Sequence, residues 1–237
     1  MASTKVIKLV VISDVICPWC YIGQKELLAA IDQMASIPNL CPVKFDIEFR
    51  PFRLLTSLKD DEPPVEKDKW YTARFGKEKY ENIQQMVGVR AKKVGVNISW
   101  DGKLSQSTAA HRLLQKAWKT GGQRLQQPLL TGLFKTFLED AKDIGDKEVL
   151  AECAAETGAM SKEEAIEFLE TDEGLAEVNS MIADTKAKGI TGVPFTIIDG
   201  KWAVSGGQTA DVYVQIFTKL ASMEVPTPTE TATTLSK

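Results

Sequence analysis

Apolar and polar positions along the chain predict two groups of strands separated by a long helical region. Residues 5–13 (KVIKLVVIS) are rich in β-branched side chains, which is typical of a buried strand. Residues 18–34 carry apolar side chains at helical spacing. Residues 43–49 (VKFDIEF) alternate between apolar and polar, which indicates a half-buried strand. This strand–helix–strand order predicts two parallel strands joined by a right-handed crossover.

The pattern between residues 60 and 188 is helical, and no strand is predicted there. A helical stretch runs from Pro63 to Lys93, interrupted at Gly76 and Gly88, and a loop at 97–103 follows. Asp146 is a predicted N-cap, and Ser161 with Glu164 forms a predicted capping box. The helices predicted after the loop cover residues 108–120, 123–141, 146–156, 161–170 and 174–188.

The strand pattern returns near the C-terminus. Residues 195–199 (FTIID) and 201–205 (KWAVS) are separated by Asp199-Gly200, a dipeptide that favours a tight hairpin turn. Residues 209–221 form a closing amphipathic helix. The Thr- and Pro-rich residues after Met223 are predicted to be a flexible tail.

The predicted order of elements is β-α-β, a helical block, then β-β-α. It corresponds to an α/β protein with a thioredoxin fold and a large α-helical insertion between its two halves. Residues 1–59 and 189–222 would form the thioredoxin-like domain, residues 60–188 the inserted helical domain, and residues 223–237 the flexible C-terminal tail.

Composition adds little to this picture but excludes several classes of partner. Of the 237 residues, 43% are apolar and 26% are charged, as in ordinary soluble proteins. The net charge is -3 and no block of Lys or Arg occurs, which argues against nucleic acid and against a membrane surface as partners. The apolar run at 6–12 contains Lys8 and is too short for a signal peptide. A cytoplasmic location is expected.

The candidate chemistry lies at the start of the first predicted helix, at Cys17-Pro18-Trp19-Cys20. Pro18 suits a first helical turn, so Cys17 falls at the helix N-terminus, where unpaired N–H groups and the helix dipole favour a thiolate. Cys20 follows one turn later. We therefore predict that Cys17 attacks a partner, that Cys20 resolves the mixed disulfide, and that no further cofactor is required.

Two other interpretations of these cysteines are weaker. A zinc site would need Cys41 and Cys153 to complete it, and neither has a close Cys or His neighbour, so no metal is expected. A cysteine protease would need His111, the only histidine, as general base, and no fitting motif surrounds it.

Several residues are predicted to contact the substrate. Val193-Pro194 precedes a strand, where an X-Pro bond can be cis, although an ordinary trans turn is the alternative. Trp19 lies on an exposed turn between the cysteines and would offer an apolar surface. Its predicted neighbours in that surface are Pro18, Tyr21 and Phe75, whereas the other tryptophans are assigned to the core: Trp70, Trp100, Trp118 and Trp202.

With these residues identified, the sequence resembles the DsbA-like thioredoxin-domain oxidoreductases of the FrnE type, up to about Leu220. The resemblance implies a thioredoxin fold with a helical domain over the active site, a cis-proline loop facing the reactive cysteine, and oxidase or isomerase activity on protein dithiols. The matching segments are residues 13–23 (SDVICPWCYIG), 74–76 (RFG), 110–114 (AHRLL), 143–146 (DIGD), 171–174 (TDEG) and 189–195 (GITGVPF).

Related families leave the substrate open. Kappa-class glutathione transferases and 2-hydroxychromene-2-carboxylate isomerases share this fold and use glutathione, with a serine usually standing where Cys17 stands here. They also carry a Ser-Asp pair near the last helix, whereas residues 205–208 here read SGGQ and lack the Asp. Both differences favour dithiol redox chemistry over glutathione conjugation. Neither excludes a small thiol or aromatic substrate in place of protein thiols.

Three alternatives remain open from the sequence. They are glutathione as a co-substrate, a glutathione-dependent transferase or isomerase, and a non-catalytic chaperone or binding module. A homodimer is compatible with the sequence.

His111, with Arg112 and residues 105–107, is predicted to border the active-site mouth. Helix packing is the alternative role for His111.

Overall fold

The computed structural model describes residues 4–38 and 42–223 of the chain. Cys41 and the tail predicted after Met223 lie outside the described residues. In chain order the elements are β1 (Lys5–Ser13), α1 (Pro18–Met34), β2 (Val43–Pro51), β3 (Val65–Glu66), α2 (Lys67–Phe75), α3 (Lys77–Lys93), β4 (Lys103–Leu104), α4 (Thr108–Gly121), α5 (Gln123–Leu138), α6 (Lys147–Glu156), α7 (Lys162–Glu170), α8 (Leu175–Ala187), β5 (Phe195–Ile198), β6 (Trp202–Ser205) and α9 (Ala210–Ser222).

The main sheet has four strands in the order β2-β1-β5-β6. β1 and β2 are parallel, as predicted, with Lys5 opposite Val43. β5 is antiparallel to β1 and β6 is antiparallel to β5. The turn between β5 and β6 has positive φ at Asp199 (51°) and Gly200 (67°), the backbone that the Asp-Gly dipeptide favours. This is the predicted thioredoxin-like α/β fold.

The helical region has the predicted order of helices, but several details differ. The first helix begins at Lys67 rather than at Pro63, and α5 ends at Leu138 rather than at residue 141. Gly88 does not interrupt a helix, because α3 runs through it, and a single Gly costs a helix only about 1 kcal/mol relative to Ala. The prediction of no strand was also wrong, since β3 and β4 form a small antiparallel pair. Two residues are too few for the alternation that identifies a strand in a sequence.

Capping signals in the helical region are confirmed. The Asp146 side chain accepts a hydrogen bond from the Glu148 amide, and Ser161 with Glu164 forms the reciprocal capping box. None of the helices in residues 4–38 and 42–223 is long and apolar enough to cross a membrane.

The helical region packs against the outer edge of the sheet, at β2, through α4, α5 and α8. Three glutamines there bond to the β2 backbone. Gln123 Oε1 accepts from Ile47 N (3.0 Å), and Gln126 Oε1 accepts from Phe49 N (2.8 Å). Phe49 O accepts from Gln126 Nε2 and from Gln115 Nε2, both at 2.9 Å. Side-chain amides thus satisfy backbone groups that an edge strand would leave unpaired.

One hydrophobic core extends through the sheet and the helical region, and includes Leu9 of β1, Leu27 of α1, Leu113 of α4 and Phe134 of α5. The division into a thioredoxin-like domain and an inserted domain at residues 60 and 188 stays a prediction.

Lys67, the first residue of α2, is buried, with only 1% of its surface exposed. Its Nζ donates to Phe137 O (3.1 Å) and lies 4.0 Å from the centroid of the Phe137 ring. Burial lowers the pKa of Lys67 to about 8. α2 therefore begins at a buried amine, and later residues of the same helix line the candidate site.

Lys67 should make stability depend on pH. An unfolded lysine has a pKa near ~10.4, so between pH 8 and pH 10 the unfolded chain holds a proton that the folded chain has lost. The cost of burying the charged amine applies fully below pH 8 and fades as pH rises. We expect the free energy of unfolding to rise by roughly 1–3 kcal/mol over this window, relative to Lys67→Met. Urea unfolding of both proteins at pH 7.5, 9 and 10 measures this difference. An equal change of the unfolding free energy with pH in both proteins would contradict the prediction.

Candidate functional site

Cys17 is the N-cap residue of α1, as predicted. Its backbone is extended (φ −90°, ψ 112°), and Pro18 follows as the first helical residue. Cys17 N donates to Asp14 O (3.0 Å), which closes a turn before the helix. The carbonyl of Cys17 accepts from Cys20 N (3.0 Å) and Tyr21 N (3.3 Å). The thiol therefore lies where the helix has free N–H groups.

The two thiols differ in their surroundings, although both are free and buried. Cys17 lines a cavity, and Cys20 does not. Burial raises the pKa of Cys20 well above its ordinary value, and a hydrogen bond with the Cys17 thiol raises it further. Cys20 is thus held as a protonated thiol behind Cys17.

The loop predicted to face Cys17 lies against it. The Val193–Pro194 peptide bond is cis. Cys17 Sγ donates to Val193 O at 3.9 Å, and Gly206 N donates to Pro194 O at 2.9 Å. A Cβ atom on Gly23 would lie 3.2 Å from Pro194 Cγ, so the glycine lets α1 approach this loop closely.

A cavity of about 300 Å³ opens beside Cys17, and we call it the aromatic cavity. Its walls come from the start of α1, the chain after β2, α2, α3 and Trp100. Leu54 (41%), Phe75 (37%) and Arg74 are its exposed members and define its mouth. The lining residues are Ile16, Cys17, Pro18, Trp19, Leu54, Leu55, Trp70, Tyr71, Arg74, Phe75, Tyr80, Ile83 and Trp100.

Tyr71 is the centre of the aromatic wall. Its ring stacks on Phe75 (6.0 Å between centroids) and contacts Trp70 (5.4 Å), Tyr80 (5.6 Å) and Trp100 (6.3 Å). Burial raises the pKa of Tyr71, and the charge of Cys17 raises it further. Its hydroxyl therefore stays protonated near the Cys17 sulfur.

Comparison with known proteins agrees with the thioredoxin-like fold. Residues 8–217 match the family model described as the DsbA-like thioredoxin domain. The chain belongs to this family. No curated protein sequence matches the chain significantly.

Solved structures of DsbA-like and related proteins have the same fold. A probable DsbA oxidoreductase from Streptomyces coelicolor is 27% identical, with a TM-score of 0.79, over 93% of this chain and 92% of that one. The cytosolic disulfide reductase DsbM from Pseudomonas aeruginosa, solved with glutathione, is 18% identical (TM-score 0.59; 90% and 98% covered). A 2-hydroxychromene-2-carboxylate isomerase is 13% identical (TM-score 0.60; 90% and 94% covered).

Among the predicted contact residues of this DsbA-like chain, Pro18, Trp19 and Phe75 line the aromatic cavity. Val193 lies against Cys17 Sγ but outside the cavity lining, and Pro194 packs beside it on Gly23. Trp70 and Trp100 pack against the core, as predicted, and also line the cavity. The core assignment was wrong for Trp202, which is 51% exposed on β6.

Tyr21 and His111 do not reach the cavity. Tyr21 is 2% exposed, and its hydroxyl donates to Glu139 Oε1 at 2.8 Å. His111 is also 2% exposed. Its Nε2 lies 2.9 Å from Phe52 O and 3.3 Å from Asp14 Oδ1. The packing alternative therefore describes His111 better than a place at the mouth.

The neighbours predicted with His111 also lie elsewhere. Arg112 donates to the backbone carbonyls of Glu173 (2.8 Å) and Phe168 (3.1 Å). Ser105, Gln106 and Arg112 line a separate polar cavity of about 550 Å³ that does not include Cys17. Residues 105–107 and Arg112 are thus not part of the candidate site.

Asp14 is a site residue whose role could not be read from the sequence. It is fully buried, and its Oδ2 accepts from Leu54 N at 2.8 Å. Its other oxygen, Oδ1, lies 3.3 Å from His111 Nε2. Asp14 therefore connects the residues before Cys17 to the segment that contains Leu54 and Leu55. Its signals in the sequence were its position three residues before Cys17 and its place in the 13–23 segment of the family resemblance.

Arg74 was also missed, although it lies within the 74–76 segment that carries part of the family resemblance. In the part of the chain that the structure describes, no three His, Cys, Asp or Glu side chains cluster closely enough to hold a metal ion. Cys153 is buried on α6, and burial raises its pKa to about 11. Its thiol therefore stays protonated at neutral pH, which disfavours attack on a disulfide.

Proposed function

We propose that this DsbA-like protein is a thiol–disulfide oxidoreductase in which Cys17 attacks and Cys20 resolves. The observation that carries the proposal is the asymmetry of the two thiols. Cys17 lies at the N-terminus of α1 and lines the aromatic cavity, whereas Cys20 is buried behind it with a raised pKa. Such a pair suits attack by the outer thiolate and resolution by the inner thiol.

The exchange proceeds in two steps. The Cys17 thiolate attacks one sulfur of a substrate disulfide, a mixed disulfide forms, and the other substrate sulfur leaves as a thiolate. Cys20 then loses its proton and attacks Cys17 Sγ, which releases the second substrate sulfur and leaves a Cys17–Cys20 disulfide. The substrate gains two electrons and the protein loses two. The same steps in reverse oxidise a substrate dithiol, and the reduction potentials of the two partners determine the direction.

The surroundings of Cys17 support contacts with a substrate on two sides. The Val193 carbonyl lies 3.9 Å from Cys17 Sγ and can accept a hydrogen bond from an extended peptide. On the other side, Pro18, Trp19 and Phe75 line the aromatic cavity. We assign these residues, with Pro194, to substrate contact.

A glutathione-dependent transferase or isomerase is the second candidate. The aromatic cavity favours it, since about 300 Å³ is enough for a small molecule beside Cys17. This function predicts saturable glutathione binding and a conjugation rate that survives Cys20→Ser. The absence of any glutathione dependence in a conjugation assay would exclude it.

Insulin reduction and the refolding of a reduced disulfide protein test the proposed function. We expect Cys17→Ser to abolish both activities, because no other described thiol lines the cavity. Cys153→Ala is the matched control, since it removes a buried cysteine outside the site and should leave both rates unchanged. Equal rates for wild type and Cys17→Ser would contradict the redox assignment and favour a non-catalytic binding module.

A further inference from the structure

Arg74 differs from its surroundings in the aromatic cavity. Within the described residues it is the one charged side chain that lines the cavity, and its side chain has no ion pair or hydrogen bond. Most other arginines are engaged, as Arg90 is with Glu26 (3.0 Å) and Arg50 is with Glu48 (2.8 Å). Arg124 on α5 also lacks a partner among the described residues, but it lies outside the cavity. Arg74 is exposed, so it presents an unpaired guanidinium at the mouth.

Tyr80 contributes a further polar side chain to the cavity lining. It is 2% exposed, and its hydroxyl is shielded from solvent and interacts with Gln84 and Asp68. Burial raises the pKa of Tyr80 to about 12, so the hydroxyl stays protonated. Arg74 is therefore the charged donor that is left free for a ligand.

Charge at the mouth is also positive on the neighbouring helix. Lys79 Nζ lies 5.8 Å from the centroid of the Phe75 ring. Asp68 and Asp101 influence the pKa of Tyr80, but neither lines the cavity. Among the described residues, the cavity therefore combines an aromatic wall with one lining guanidinium and no lining carboxylate.

We propose that the aromatic cavity binds the group attached to the reacting sulfur of the substrate, and that this group carries an aromatic ring and an anion that pairs with Arg74. The inference rests on the proposed function and names its substrate class. A guanidinium binds a carboxylate through two parallel hydrogen bonds, and an aromatic ring packs favourably on Tyr71, Trp70 and Trp100. A small aromatic thiol acid, or a protein cysteine beside aromatic and acidic residues, provides this chemistry.

Four symmetrical disulfides separate charge from aromaticity. The probes are 5,5′-dithiobis(2-nitrobenzoate) (aromatic, anionic), 4,4′-dithiodipyridine (aromatic, neutral), 3,3′-dithiodipropionate (aliphatic, anionic) and bis(2-hydroxyethyl) disulfide (aliphatic, neutral). The rate of mixed-disulfide formation on Cys17 is measured in a Cys20→Ser background, where only the first step occurs. Comparing variants with one probe at a time cancels the intrinsic reactivity of each disulfide.

Arg74→Gln should slow the nitrobenzoate probe by roughly threefold to tenfold and change the rate with the dipyridine probe by less than about twofold. The nitrobenzoate effect should shrink at high salt. Arg124→Gln is the matched control, because Arg124 is exposed on α5, outside the cavity, and its loss changes net charge equally. Equal slowing of both aromatic probes would overturn the inference, since Arg74 would then act on Cys17 itself.

The aliphatic probes test the role of the ring. Arg74→Gln should reduce the reaction rate with the dipropionate probe by less than about twofold, because this probe has no ring to hold it in the cavity. A loss as large as that of the nitrobenzoate probe would overturn the aromatic part of the proposal. The hydroxyethyl probe should not respond to Arg74→Gln.

Peptide disulfides distinguish the two sources of this chemistry. If Arg74→Gln slows the reaction with a Cys-Phe-Glu peptide but not with a Cys-Ala-Gln peptide, the substrate is a protein cysteine. If it slows only the reaction with the nitrobenzoate probe, the substrate is a small aromatic acid. Failure of the proposed function is recognised separately. If the probes modify the Cys17→Ser protein as fast as the wild type, the proposed function is refuted. If Cys17 reacts rapidly but Arg74→Gln slows no probe selectively, only the substrate class is refuted.

Discussion

Replacing Cys20 with serine is expected to stop turnover while leaving the first thiol exchange intact. Cys17 keeps its place at the N-terminus of α1 and its access to the aromatic cavity, so attack on a disulfide should proceed within about threefold of the wild-type rate. The hydroxyl of the introduced serine cannot resolve the mixed disulfide. Release of reduced insulin by the pre-reduced protein, with no other thiol present, should therefore fall by roughly a hundredfold or more.

Mass spectrometry of the Cys20→Ser protein measures this outcome directly. Substrate should remain attached through Cys17 until an external thiol releases it. Cys17→Ser should trap nothing, and Cys153→Ala should turn over normally. Rapid release of substrate by Cys20→Ser without added thiol would show that another group resolves the intermediate and would refute the role of Cys20.

His111→Ala is expected to destabilise the protein more than a typical point mutation. The imidazole Nε2 contacts Phe52 O and Asp14 Oδ1, both in the interior. Its loss leaves buried acceptors unpaired and opens a cavity beside a fully buried carboxyl group. We expect the free energy of unfolding to fall by about 2–4 kcal/mol. The melting temperature should fall by roughly 5–15 °C.

Denaturant unfolding of His111→Ala and His111→Gln measures this loss. The glutamine amide can still donate to Phe52 O, so His111→Gln should recover part of the stability. Attack by Cys17 should be affected less than stability, because His111 does not line the cavity. A change in unfolding free energy below about 1 kcal/mol for His111→Ala would contradict this account.

The parts of the fold that the sequence predicted well have local causes. The β-branched run of β1, the alternation of β2 and the Asp199-Gly200 turn each depend on neighbouring residues alone. Pro18 marks the start of α1 and so places Cys17 at its N-cap. The reactive end of the site could therefore be located without the structure.

The aromatic cavity could not be predicted because its parts come from distant segments. Trp70, Tyr71 and Trp100 have apolar rings whether they fill a core or line a cavity, and only tertiary packing decides between these. His111 shows the converse. It is the only histidine and lies within a segment of the family resemblance, yet its hydrogen bonds face Asp14 and Phe52 in the interior.

The glutamines on β2 have a consequence for how the chain folds. Gln115, Gln123 and Gln126 occupy the hydrogen-bonding positions that a fifth strand would take. The helical region therefore replaces a neighbouring strand, and a sheet made without it would expose an edge that can recruit strands from other chains. The three glutamines therefore protect the β2 edge from pairing with strands of other chains, in addition to joining the helical region to the sheet.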